Sequence, residues 1–333
     1  MSRLPFTKMV GTGNDFVVVD ATRRPVKAAS EWRRMSRALC DRHQGIGADG
    51  VLVLERTPRA DVRMRVFNPD GSEAEGCGNG ARCVALYAYA ARAGKTPGLR
   101  NNRARVHPGL RATRARVNPG LRRDAARVNP GRGNSAARVN GGGRVTIDTI
   151  GGVLSATIRG NRVALTMPTP SGVAPSLTLP VGGRRYRVGV VNTGVPHAVV
   201  PVASVDRVDV EALGQRIRRH RHFAPRGTNV NFTQWDSRRR VLRVRTYERG
   251  VEAETLACGT GIVASAILHA VTRHRTSRAA SVRVPIEARS GDRLSVSMRL
   301  VPQGRRVQVR NVVLEGAAER VFDGQVEWPV RAR

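Results

Sequence analysis

The chain has almost no lysine. Of its 58 basic residues only Lys8, Lys27 and Lys95 are lysines, and with 25 acidic residues the formal net charge is +33. Removing an α-proton through pyridoxal phosphate requires a Schiff-base lysine. Lys8 falls in an N-terminal strand, Lys27 in a polar stretch and Lys95 beside a basic insertion, so the expectation is an enzyme with no cofactor. Cysteine is also scarce. Cys40, Cys77, Cys83 and Cys258 form no Cys-x-x-Cys pair, which argues against a zinc site, any other metal centre or a disulfide framework. Met1 to Lys8 lacks the apolar core of a signal peptide, and no run reaches the ~18 apolar residues of a membrane span. A soluble, cytoplasmic protein is expected.

Such a positive charge ordinarily suggests nucleic acid, through counterion release from phosphates. Here the arginines are scattered along the chain rather than gathered into a stripe. A nucleic-acid partner is therefore disfavoured, and most of the arginine reads as solvated surface. From about 97 to 143 the composition changes: Ala-Arg-Val-x-Pro-Gly recurs from Ala104, Ala115 and Ala126 with a degenerate copy at Ala137, a period of 11. An 11-residue period also suits a right-handed coiled coil, but the recurring Pro-Gly excludes a continuous helix. The segment reads as a disordered basic insertion in a loop, either a tolerated expansion or a tether for RNA or another anionic surface.

What the sequence does contain is one motif twice. Cys77-Gly78-Asn79-Gly80 and Cys258-Gly259-Thr260-Gly261 each follow a Glu-Ala-Glu (Glu73 to Glu75, Glu252 to Glu254) and each open an Ala/Val-rich segment. Arg65-Val66-Phe67 precedes the first and Arg245-Thr246-Tyr247 the second, while Gly11 to Phe16 is echoed by Gly227 to Phe232. Two homologous halves, each presenting one thiol, is the simplest account. Segments Ala81 to Ala93 and Gly261 to Thr272 are apolar on nearly all sides, which predicts buried helices wrapped by strands. Further helices are expected near Ser30 to Arg42 and Val210 to His220. Strands are expected at 62 to 67, Val145 to Ile147, Val153 to Ile158, Val163 to Met167, Val188 to Val191, Val199 to Val202 and Val241 to Tyr247, with a boundary near Pro168. Gly45 to Gly50 fits G-x-G-x-x-G but leaves a helix and enters a strand, the reverse of a dinucleotide fingerprint.

A thiol at a helix N-terminus lies beside free N–H groups and the positive end of the macrodipole, which should lower its pKa from ~8.5. Those N–H groups can also hold a substrate carboxylate. If the halves face each other, a small molecule between them meets one sulfur on each side, a geometry suited to inversion at a carbon: one thiolate removes a proton and the opposite thiol delivers one. Asn68, Asn79 and Asn229 lie in or beside glycine turns with their amides available, and Asn14 follows Gly13. Arg249 can clamp a carboxylate. His197 is placed in a loop of the second half, near enough to influence a thiol.

At these residues the chain resembles the diaminopimelate epimerase family. The match runs through Lys8-Met9, Gly11 to Phe16, Arg42 to Gly50, Phe67 to Glu73, Cys77 to Cys83, Gly194 to His197, Gly227 to Asn229 and Glu248 to Gly261, nearly the whole chain apart from the insertion. The resemblance implies an α+β fold of two pseudo-symmetric domains, each a curled β-sheet around a central buried helix, with the active site in the cleft between them. The implied division is 1–166 plus 317–333, and 167–316. It implies cofactor-independent interconversion of LL- and meso-2,6-diaminopimelate for lysine and peptidoglycan synthesis, with Cys77 and Cys258 catalytic. Asn14, Asn68, Asn79, Asn229, Glu248 and Arg249 would bind substrate with backbone help from Gly78, Gly259 and Thr260, and His197 and Glu248 would tune the thiols. A homodimer is compatible with the sequence. Proline racemase and hydroxyproline epimerase are the related alternatives, and a basic nucleic-acid-binding protein on a retired epimerase fold is the distant one. Three features depart from the family pattern: Val195 stands where a substrate-binding Asn is common, one extra residue lies between Gly250 and Glu254, and the insertion is foreign.

Overall fold

A computed structural model of the chain describes residues 2–23, 28–94, 142–274, 278–304 and 306–328. Lys27, Lys95 and the basic repeats fall outside the described residues. In the first half, strands β1 (Ser2–Gly11) and β2 (Asn14–Asp20) lead to helix α1 (Ala29–Cys40), then β3 (Gly50–Glu55), β4 (Val62–Phe67) and the short β5 (Glu73–Ala74). Helix α2 (Gly78–Arg92) follows, then β6 (Gly143–Thr149), β7 (Gly152–Arg159) and β8 (Arg162–Thr166). The second half repeats this plan: β9 (Ser171–Val181), β10 (Arg184–Asn192), β11 (Pro196–Pro201), α3 (Val210–Arg218), β12 (Asn229–Asp236), β13 (Val241–Glu248), β14 (Ala253–Thr255), α4 (Gly259–Arg273), β15 (Ala280–Glu287), β16 (Arg293–Gln303) and β17 (Arg306–Ala317). The last strand, β18 (Glu319–Trp328), returns to pair with β1.

The ladder of strands reads the same from both ends. It runs β18-β1-β2-β3-β4-β6-β7-β8 and then, across an antiparallel pairing of β8 with β17, β17-β16-β15-β13-β12-β11-β10-β9. Parallel pairs occur at matching places: β2 with β3 and β4 with β6 in one half, β11 with β12 and β13 with β15 in the other. The first pair of each set is crossed by a helix, α1 or α3, as a parallel connection requires. The architecture is α+β, with each curled sheet closed around one helix. Helix α2 touches β1 to β4, β6 to β8 and β18, and α4 touches β9 to β13 and β15 to β17.

Each sheet therefore has two apolar faces, which explains why its inner strands are apolar without a break. In β3, Leu52 and Leu54 pack inward with α2 while Val51 and Val53 pack outward with Trp32, Met35 and Leu39 of α1. Period-two alternation between two cores gives a continuous Val-Leu-Val-Leu run. In β12 the outward residues Val230 and Phe232 join the α3 core. The inward positions there are Asn229 and Asn231, and they are buried. Polar residues at inward positions of a buried strand mark where the helix end, rather than its apolar body, faces the sheet.

The structure corrects two details of the internal repeat. The turn at Gly11 to Asn14 joins β1 to β2, and its counterpart is the β10–β11 turn at Asn192 to Pro196. Gly227 to Phe232 instead leads into β12, the counterpart of β3, so the likeness of the two strings, which share Gly-Thr and a Phe four residues after the Thr, falls on strands the topology does not equate. Likewise Glu73 sits opposite Phe67 and Glu254 opposite Tyr247, so Glu254, not Glu252, is the partner of Glu73. The extra residue after Gly250 is absorbed in a turn in which Gly250 and Glu252 take positive φ. It is spent before Glu254, and Cys258 keeps its four-residue distance from Glu254 just as Cys77 does from Glu73.

With strands on every side, the centre of α4 has little room to collapse. Replacing fully buried Ile267 by Ala should cost about 2–5 kcal/mol, measured as a drop in the urea midpoint at unchanged m-value.

Candidate active site

Cys77 is the N-cap of α2, in extended conformation, and its sulfur accepts the N–H of Gly80 at 3.3 Å. Cys258 is the N-cap of α4 and has the Thr260 hydroxyl 3.5 Å from its sulfur. The helix ends meet: a Cβ on Gly259 would stand 3.4 Å from Cα of Gly78, and one on Gly261 would stand 2.2 Å from Asn231 Oδ1. Glycine at 78 and 259 lets the two helix ends approach from opposite halves, and glycine at 261 makes room for Asn231 beside the second. Each is aimed by a bidentate ion pair on the strand before it. Arg65 grips Glu73 at 2.7 and 2.9 Å, and Arg245 grips Glu254 at 2.6 and 2.6 Å, all four groups being at least partly buried. Shielded fork-to-fork pairs of this kind hold orientation better than exposed ones.

Around the thiols the inward residues form a polar shell. Asn79 donates to Asn14 Oδ1 at 2.6 Å and to the carbonyl of Ala257 at 3.2 Å, so both its amide hydrogens are already used inside the protein. Asn79 therefore keeps no side-chain donor for a ligand, and its backbone N–H acts on the sulfur of Cys77. Asn14 donates in turn to Asp49, which Arg42 grips from outside at 2.7 Å. Asn229 accepts the N–H of Arg249 at 2.8 Å, which ties that residue to the cleft. Asn68 occupies the same strand-end position as Glu248, and its amide donates to Ser72 within its own turn. Val195 is half-buried in the β10–β11 turn, where its carbonyl accepts the N–H of Thr193. Among the described residues no cluster of His, Cys, Asp or Glu has the arrangement of a metal site.

His197 is on strand β11, not in a loop, and is fully buried. Its Nδ1 lies 3.1 Å from the Asn231 amide nitrogen, and Nε2 has no partner. Asn231 also donates to the carbonyl of Ala198 and accepts from Thr246, so the imidazole is fixed as the Nε2–H form with one unused donor. Sequence reasoning missed Asn231, together with Thr12, Arg82 and Thr193, whose hydroxyl donates to the Thr260 carbonyl at 3.1 Å. The signal for Asn231 was present in the alternation Asn-Val-Asn-Phe. That for Arg82 was a lone charge early in an apolar helix.

Electrostatics overturn the expectation of acidic thiols. Burial raises the pKa of both Cys77 and Cys258, and Glu248 raises them further; the helix N–H groups oppose this without cancelling it. A dipole's half-charge is outweighed as the sulfur loses water, a loss that is greater at buried Cys258 than at half-buried Cys77. Glu248 is itself raised by burial, with the Thr255 hydroxyl opposing. His197 falls from 6.5 to about 3, through burial and then the charge of Arg249, and is neutral.

The family model described as diaminopimelate epimerase matches residues 6–107 and 189–299. A diaminopimelate epimerase of Aquifex aeolicus is 34% identical over 336 residues, spanning 98% of this chain and 99% of that protein. The chain belongs to the diaminopimelate epimerase family. A diaminopimelate epimerase of Methanothrix thermoacetophila is 37% identical over 279 residues, 80% of this chain and 81% of that protein. Among solved structures, a hydroxyproline epimerase from Agrobacterium vitis superposes with a TM-score of 0.61 at 16% identity, over 98% of this chain and 91% of that one. A probable proline racemase from Agrobacterium radiobacter gives 0.59 at 17%, over 98% and 93%. These share the fold of the diaminopimelate epimerase family. No helix among the described residues is long and apolar enough to cross a membrane.

Because His197 is depressed in the folded protein, its contribution to stability is complete above its unfolded pKa of 6.5 and is lost as pH falls toward about 3. Urea midpoints should therefore decline below pH 6.5, with one histidine supplying a slope of up to ~1.4 kcal/mol per pH unit. His197→Gln, which keeps an acceptor for Asn231, should flatten that slope between pH 6.5 and 4.5. His269, lowered to about 4 by burial, and the carboxylates held low by Arg and Lys partners, Asp15, Asp61 and Glu73 among them, supply the part that remains.

Proposed function

We propose that this protein interconverts LL- and meso-2,6-diaminopimelate by a two-base reaction of Cys77 and Cys258, without a cofactor. The observation that carries the reading is the meeting of two thiol-capped helix ends at Gly78 and Gly259. One sulfur, as thiolate, takes the α-proton from one face and becomes a thiol. The other thiol gives its proton to the opposite face and is left as thiolate, so the enzyme ends ready for the reverse reaction. The substrate's α-carboxylate is held by the N–H groups at the two helix ends, including those of Asn79, Gly259 and Thr260, where the macrodipoles stabilise charge that develops as the proton leaves.

Asn14, Asn68, Asn229, Glu248 and Arg249 serve the rest of the substrate in this reading, and neutral His197 presents Nε2–H toward it. Lys8, one of the three lysines, is committed to an ion pair with Asp15 at 2.7 Å and to the Gly47 carbonyl. The same reading divides the chain into 1–166 with 317–333, and 167–316, joined at the seam of β8 and β17. Identities of 32–37% to diaminopimelate epimerases, against 16–17% to the proline racemase and hydroxyproline epimerase structures, favour a diamino diacid over an imino acid.

The deciding experiment incubates the protein with LL-diaminopimelate in deuterium oxide and follows stereochemistry and α-deuterium together. Conversion with deuterium uptake is expected, and Cys77→Ala or Cys258→Ala should each lower it by about 10²–10⁴-fold. Turnover of L-proline or trans-4-hydroxy-L-proline in its place would sink the assignment.

The pH profile is a separate check. One thiolate is required and burial raises both thiols, so kcat/KM should climb with pH toward and beyond the free-thiol value of about 8.5. A profile already flat from neutrality upward would mean that the helix dipoles prevail over burial.

A further inference from the structure

Arg82 is the one charged side chain of α2 before the helix's last residue, and it is fully buried. Among the described residues no carboxylate pairs with it; Asp292 acts on it only from beyond contact. Burying a cation without a counter-ion costs several kcal/mol unless hydrogen bonds replace water. Arg82 has four such partners. It donates to the Thr12 hydroxyl, to Asn79 Oδ1 at 2.9 Å, and at 3.5 Å to the carbonyls of Gly78 and Ala317. The chain leaves room for it at Gly316, where a Cβ would stand 3.2 Å from Nε.

These contacts run in series toward the second thiol. The guanidinium fixes Asn79 Oδ1, which directs both amide hydrogens of Asn79 outward, one to Asn14 and one to the carbonyl of Ala257, the residue before Cys258. The pseudo-repeat is broken here. Five residues after Cys77 stands Arg82, and five after Cys258 stands Val263, part of the apolar core. Backbone N–H groups of the helix end act on both sulfurs, Gly80 on Cys77 and Gly261 on Cys258, so they do not set the two apart. Only the Cys77 half has an unneutralised cation one turn along its own helix.

We propose that Arg82 is a positioning residue that seats both helix ends through Asn79, and that its charge makes Cys77 the first of the two thiols to ionise. The second clause deepens the two-thiol reading above and rests on it. The charged or titratable groups acting on Cys77 are Glu248, which opposes the thiolate, and Arg82, which favours it. Cys258 and Cys83 lie close enough to respond to its charge. Cys83 is fully buried and pushed up to about 12, so it does not compete for ionisation.

The test is iodoacetamide alkylation of the ligand-free protein across pH, mapped by peptide mass spectrometry, on wild type, Arg82→Met and Arg82→Lys, with melting curves to establish folding. In wild type, Cys77 should be alkylated at lower pH than Cys258, while Cys40 and Cys83 stay unmodified. Arg82→Met should raise the Cys77 midpoint by about one unit and leave that of Cys258 in place. It should also lower kcat by about 10²-fold with a smaller change in KM, as expected when reacting groups lose alignment. Arg82→Lys should return the Cys77 midpoint but not the full kcat, because one ammonium cannot span all four partners. Equal midpoints for the two thiols in wild type, or a Cys77 midpoint unmoved in Arg82→Met, would overturn the proposal.

If Arg82→Met does not fold, Gly316→Ala displaces the guanidinium instead. The same selective shift of Cys77 is expected, and none would overturn the idea. The order of alkylation does not depend on turnover. A protein that alkylates as described yet leaves diaminopimelate unchanged therefore refutes the substrate assignment and not the role of Arg82.

Discussion

Two helix ends of like sign meet at Gly78 and Gly259, and most of the molecule exists to hold them there. Each end carries roughly half a positive charge, so bringing them together without an anion between is unfavourable. The protein meets that cost by burying both helices among strands and by tying the ends together through Asn79 and the Ala257 carbonyl. The residual field is what a carboxylate or a developing carbanion would relieve. In this view the site is preorganised for negative charge at the expense of local stability, a common arrangement at functional sites.

The same burial explains why the thiols are not acidic at rest. Removing sulfur from water raises its pKa more than a few N–H groups lower it, and the carboxyl of Glu248 adds to the effect. A buried site with two reluctant acids suits a reaction in which a proton must leave one face and another must arrive at the opposite face. Pseudo-symmetry supplies the two faces. The departures from symmetry, Arg82 against Val263 and Asn68 against Glu248, give the faces different electrostatics.

Much of this was legible in the chain. Two Cys-Gly-x-Gly strings before apolar segments announced two buried helices with thiols at their mouths, and both helices form where expected, at Gly78–Arg92 and Gly259–Arg273. The false dinucleotide motif at Gly45 to Gly50 does lie between α1 and β3. The finer matching of the halves was not legible, because Gly-Thr followed four residues later by Phe recurs at places the topology does not equate, and only strand pairing shows that Gly11 to Asn14 answers to Asn192 to Pro196. Nor could spacing show that Asn79 spends its side chain across the interface, since Ala257 is 178 residues away.

The sequence by itself determined the fold class, the two Cys-Gly-x-Gly helix mouths and the family. Local alternation and helix-capping chemistry depend on neighbours a few residues apart, and those are written in order. Tertiary structure alone decided which polar groups converge, which are consumed in holding the halves together, and how far burial moves the thiols. Those properties depend on water exclusion and on contacts between distant strands, and neither has a signature in local spacing. Arg82 shows the difference: in sequence it is one arginine among many, and in the fold it is a buried cation without a paired carboxylate among the described residues, bonded to Asn79 and acting on Cys77.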